Sequence, residues 1–98
     1  METEFKNKDL DRLEAEAEFT AGYEKAIVKA FRKRMQAIRA ALDERDLYAV
    51  KGNHFEKLKG DRSHQRSLRL NEKMRLIVEI REGKPKNTVI VVNIENYH

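Results

Sequence analysis

Two stretches near the end of the chain set what it can fold into. In residues 73–81, KMRLIVEIR, Met74, Leu76, Val78 and Ile80 point one way and Lys73, Arg75, Glu79 and Arg81 the other, with only Ile77 out of step. That is the pattern of a strand with one buried and one polar face. Residues 88–94, TVIVVNI, form a β-branched run without alternation, which fits a strand in the middle of a sheet with cover on both faces. Asn96, Tyr97 and His98 follow close behind. A tail that leaves the strongest strand is expected to be held by it and to carry function rather than fray.

Two further strand signals lie upstream, at residues 54–58 and 66–70. The connections GDRSHQ, Asn71 with Glu72, and EGKPKN are short, which implies antiparallel hairpins, and Gly83 with Pro85 supplies the turn chemistry of the last one. The first half of the chain is helical in period. Asn7 and Asp9 open a short amphipathic helix with Leu10, Leu13 and Ala17 inward over residues 7–19, and Phe5 before it closes a short strand or staples the helix. Thr20 is the expected cap of a longer helix with the stripe Tyr23, Ile27, Phe31, Met35, Ile38 and Leu42. Its other face, Lys25, Lys29, Arg32, Lys33, Gln36 and Arg39, reads first as an ordinary solvated surface and second as a surface that steers RNA. Residues 43–53 read as a helix end, an irregular piece and a turn. The expected fold is α+β, with two N-terminal helices packed on a twisted, mainly antiparallel four-stranded sheet.

The length of 98 residues allows one domain with a modest core. With no cysteine, a disulfide framework and a thiolate metal site are both excluded. The acidic, periodic start METEFKNKDL is unlike a signal peptide, and no apolar run reaches membrane-spanning length, so a soluble protein is expected. The net charge of +4 is unevenly spread: residues 1–20 carry 3 basic and 7 acidic side chains, whereas residues 51–75 carry 8 and 3. Clustered positive charge fits a polyanionic partner, nucleic acid first, and fits a solvated face equally well.

The strings HFEKLKGDR, SLRLNEKMRLIVEI and IENYH, taken in order and spacing, resemble the HigB branch of the RelE/ParE toxin superfamily. These proteins are the toxin halves of bacterial toxin–antitoxin pairs. The resemblance covers residues 23–98. It implies a small cytoplasmic α+β ribonuclease without cofactor or metal, which cleaves mRNA in the ribosomal A site. A cognate HigA-like antitoxin with a helix-turn-helix domain would hold it inactive in a hetero-oligomer.

Metal-free RNA cleavage needs a base for the ribose 2′-OH, cations against the charge that develops on the phosphate, and an acid for the 5′-oxygen. Lys59, in the LKG turn, and Arg75, on the polar side of its strand, are expected to aim at one phosphate, and the resemblance places matching positions in the active site. His98 supplies an imidazole that exchanges protons near neutral pH, and Tyr97 stacks a base or donates to phosphate; both are carried over from the family's closing Tyr-His pair. His54 is a further catalytic candidate, balanced against a purely structural histidine. Lys57, Arg62, Arg66, Arg69 and Asn96 are candidates for RNA contacts, and His64 is expected to be solvated. Members of the family usually carry Asp where this chain has Asn96, and aromatic residues where it has Arg66 and Met74. The family's carboxylate role is thereby put in question, and base stacking is left to Tyr97. Two other readings stand beside the nuclease: a ParE-like inhibitor of DNA gyrase, and an inactive relative that binds only antitoxin or RNA.

Overall fold

The computed structural model describes residues 1–96. Along the chain run β1 (Glu2–Phe5), α1 (Lys8–Ala15), α2 (Lys25–Ala40), α3 (Glu44–Ala49), β2 (Glu56–Lys57), β3 (Gln65–Arg69), β4 (Met74–Arg81) and β5 (Thr88–Asn96). Short 3₁₀ turns occupy 51–53 and 60–62. The sheet order is β1-β5-β4-β3-β2. All neighbours are antiparallel except β1 and β5, which run parallel from Glu2 opposite Thr88 to Phe5 opposite Val91.

The α+β class agrees with the sequence reading, and the details depart from it in four places. The sheet has five strands rather than four, because Glu2–Phe5 covers the free backbone edge of β5. A third helix, α3, replaces the irregular piece; Asp43 starts it by accepting from the Arg45 N–H at 2.9 Å. The strand expected at 54–58 shrinks to Glu56–Lys57, bounded by a left-handed His54 (φ 41) and by Gly60 (φ 67). The long helix begins at Lys25, not at Thr20, since Ala21 and Gly22 are both left-handed. It ends at Ala40, so Leu42 falls outside the apolar stripe and is 78% exposed. Ala17 likewise lies beyond the end of α1 and is exposed.

The missing alternation in β5 has a geometric cause. Ile77 pairs with Asn93 but Val78 pairs with Val91, so Val92 is an inserted bulge residue. The bulge lets Val89, Val91 and Ile94 all face the helices despite their uneven spacing, while Ile90 and Val92 stay half-buried. Against them pack Leu10 and Leu13 from α1, Phe31, Met35 and Ile38 from α2, Leu47 from α3, and Leu68, Leu76 and Val78 from the sheet. Each fully buried side chain of this size contributes about 1.5–3 kcal/mol.

Several basic residues of α2 are structural. Arg32 donates to the carbonyls of Leu13 (3.0 Å) and Glu16 (2.9 Å), satisfying the C-terminal end of α1. Arg39 forms a bidentate pair with Glu14 at 2.6 and 2.7 Å. Among the described residues no helix is long and apolar enough to cross a membrane.

Candidate functional site

The helices cover one face of the sheet, and the candidate site lies on the other, where Ser67, Ile77 and Arg75 are buried. Strand register fixes who stands there: Gln65, Ser67 and Arg69 on β3 sit opposite Glu79, Ile77 and Arg75 on β4, and Arg75 and Ile77 are in turn opposite Glu95 and Asn93 on β5.

Arg75 is the centre of this face. It stands on the polar side of β4, as expected, and is buried there, at 7% exposure. Its Nη1 donates to the His54 carbonyl at 3.1 Å, and its Nη2 lies 3.7 Å from Glu56 Oε1. A residue rooted on β4 thus reaches across β3 to the segment around β2. The left-handed turn at His54 delivers the carbonyl that holds it. His54 meets Arg75 through its backbone carbonyl, and the residue is exposed.

Arg62, from the 3₁₀ turn, forms the second cation. Its Nε donates to Gln65 Oε1 at 2.9 Å, and its two terminal nitrogens each lie 3.0 Å from an oxygen of Glu95. A cleft of about 160 Å³ opens between Arg62, Arg75, Glu95 and Asn96, with Leu58, Ser67 and Ile77 completing its lining. On the other side of Arg75 a recess of about 230 Å³ is lined by Arg69, Asn71 and Glu72. Arg75 is common to both hollows.

The polar network continues toward β1. Gln65 Nε2 donates to Glu79 Oε2 at 3.0 Å, and Lys6 Nζ donates to Glu79 Oε1 at 3.2 Å. The Gln65 hydrogen bond, with Lys6 and His64 nearby, holds the Glu79 carboxyl below its ordinary pKa. His64, expected to be solvated, is exposed and 3.8 Å from Glu79.

The other candidates separate by position. Lys59 is exposed and stands immediately before the turn that carries Arg62. Asn96 is exposed at the end of β5 and borders the cleft. Lys57 pairs with Arg66, and Arg66 with the buried Val78, so both lie on the helix-facing side; Arg66 is engaged with Glu44 at 3.4 Å and with the Ser63 carbonyl at 3.1 Å. Tyr97 and His98 lie outside the described residues. Sequence reasoning missed Gln65, Ser67, Glu56 and Glu95. None of these carries a spacing signal, since they meet only through register between strands.

Two larger grooves are present, the first sharing Asn96 with the cleft and Asn71 and Glu72 with the recess. One of about 590 Å³ runs between Tyr23, Ile27 and the β3–β4 turn, and one of about 750 Å³ runs along Lys25, Lys29 and Lys33. Neither is lined by Arg75, the buried cation.

Comparison with known proteins gives three results. The sequence model for HigB-like toxins, described as the RelE-like toxin of type II toxin–antitoxin system HigB, matches residues 3–96. Among solved structures, a YoeB/ParE toxin from Agrobacterium tumefaciens is similar with a TM-score of 0.67 and 16% identity over 100% of both chains. A conserved hypothetical protein from Helicobacter pylori is similar with a TM-score of 0.53 and 15% identity, covering 99% of this chain and 94% of that one. No match is found among curated protein sequences.

Proposed function

The chain belongs to the HigB-like toxin family of type II toxin–antitoxin systems, and from that premise we propose that it is a ribosome-dependent endoribonuclease that cuts mRNA in the A site without a metal. The observation that carries this reading is the cleft at which Arg62 and Arg75 meet beside Asn96, the residue that precedes Tyr97 and His98 in the chain.

In this mechanism the ribose 2′-oxygen attacks the adjacent phosphorus, the bond to the 5′-oxygen breaks, and a proton is delivered to that leaving oxygen. The products are a 2′,3′-cyclic phosphate and a free 5′-hydroxyl. Arg75, held in orientation by the His54 carbonyl, offers a planar fork to the phosphate as its charge grows. Lys59, exposed immediately before the turn that carries Arg62, adds a further cation. His98 exchanges protons with the 2′-oxygen or the leaving oxygen, and Tyr97 stacks on a base. Asn96 orients its neighbours by hydrogen bonding, since an amide cannot serve as a base. A cognate helix-turn-helix antitoxin, bound in a cytoplasmic hetero-oligomer, neutralises the toxin.

The test is to add the protein to translating ribosomes and map the message ends. Codon-phased cuts bearing 2′,3′-cyclic phosphate support the nuclease; gyrase-dependent DNA breaks support a ParE-like toxin instead, and neither outcome leaves a binding-only relative. Replacing Lys59, Arg75 or His98 by Ala should abolish cutting while antitoxin binding persists. If all three variants cut like the parent, the assigned site is wrong.

A further inference from the structure

Ser67 sits at the centre of β3 on the face away from the helices, between Glu56 of β2 and Ile77 of β4. It is 1% exposed, and its Oγ is the one buried side-chain polar atom among the described residues with no hydrogen-bond partner. An unpaired buried hydroxyl destabilises a fold, and such atoms are rare. Alanine would occupy the same place without that cost. The position is telling: Ser67 borders the cleft shared by Arg62, Arg75 and Asn96. Arg75 also crosses β3 to reach the His54 carbonyl and Glu56, so its side chain passes over the strand that carries this hydroxyl.

We propose that the Ser67 hydroxyl is a substrate-contacting group, held without a partner in the free protein and completed by a non-bridging oxygen of a bound phosphodiester. This rests on the reading of the cleft as a phosphate site. The contact between Arg75 and Glu56 is long, at 3.7 Å, and a phosphate in the cleft competes for the same guanidinium. As that guanidinium turns toward the phosphate, the serine O–H beneath it rotates about its C–O bond and donates to the oxyanion, a short charge-assisted bond. Ser67 forms no covalent bond in this scheme. It adds direction to a site where the arginines supply charge, fixing which phosphate oxygen points into the sheet.

The experiment compares the parent with Ser67→Ala and the near-isosteric Ser67→Cys. Thermal unfolding is followed with and without inorganic phosphate, alongside the rate of codon-phased cutting on translating ribosomes. Ser67→Ala is expected to unfold at or above the parent's temperature in phosphate-free buffer, to gain less from added phosphate, and to cut about tenfold more slowly. Ser67→Cys, a weaker donor, should fall between. A Ser67→Ala protein that melts lower than the parent yet keeps its phosphate response and its cutting rate would reduce Ser67 to packing and overturn the proposal. If the parent itself cuts no message, the nuclease reading fails on its own account. The phosphate response of Ser67→Ala against the parent then still decides the role of Ser67.

Discussion

Arg34 Nε donates to the carbonyl oxygen of Arg69 at 2.9 Å, joining α2 to the end of β3. The same guanidinium donates through Nη2 to the Gly52 carbonyl at 2.9 Å, on the turn that leads into His54. His54 in turn holds Arg75. Arg34 therefore links the helix layer to the segment that holds Arg75, and burial lowers its pKa. Arg34→Ala should cost about 2 kcal/mol in urea unfolding, since two charge-assisted bonds disappear, and cutting should slow because the segment holding Arg75 loosens. Arg34→Lys, with one point donor, should recover only part of both. Unchanged stability in Arg34→Ala would show that the bonds are redundant.

Arg75→Lys keeps the charge and loses the fork. The ammonium cannot bond the His54 carbonyl and present two parallel donors to a phosphate at once. Cutting should fall at least about 100-fold with the circular dichroism spectrum retained. A loss smaller than about threefold would mean that the site needs charge alone, against the argument from planar geometry.

Glu95 competes with any anion for Arg62, pairing with it through both carboxylate oxygens. Both side chains are substantially exposed, at 43% and 34%, so Glu95→Gln should shift stability by no more than about 0.5 kcal/mol. Phosphate affinity, read by titration of backbone amide shifts around the cleft, should rise about three- to fivefold as the repelling charge goes. Weaker binding would show that Glu95 is needed to hold Arg62 in place.

Glu79 gives the protein an acid sensitivity. Its carboxyl is held below the ordinary 4.5 by the Gln65 hydrogen bond first, then by Lys6 and His64. A depressed carboxylate contributes stability that is fully present above its unfolded pKa and is lost as pH falls through its folded one. The parent should thus exceed Glu79→Gln in stability at pH 7, and the gap should narrow in denaturant titrations as pH falls below the ordinary 4.5 and through the lowered folded value. A gap that persists undiminished at low pH would mean that the amide simply disrupts the network.

Leu42 and Leu47 test the helix boundary. Leu42 is 78% exposed and Leu47 1%. Leu42→Ala should change unfolding free energy by less than about 0.5 kcal/mol, and Leu47→Ala should cost about 2–4 kcal/mol. Equal effects would place both leucines in the core.

What the sequence settled by itself was the α+β class, the two long strands, the principal helix and the basic character around Arg62, Arg69 and Arg75, because each follows from local period or local composition. What only tertiary structure decided was everything that depends on two distant segments meeting. The parallel pairing of Glu2–Phe5 with β5 leaves no mark in four residues, and the bulge at Val92 imitates two-sided burial in a linear reading. Arg75 looked like surface because alternation assigns a face, whereas burial depends on what lies over that face. The side chain is covered because it reaches across β3 to a carbonyl 21 residues earlier in the chain. Ser67 and Glu95 join the cleft, and Gln65 joins the network around Arg62 and Glu79, for the same reason: strand register sets side-chain neighbours at hydrogen-bond distance, and register is a property of the folded sheet rather than of any one strand.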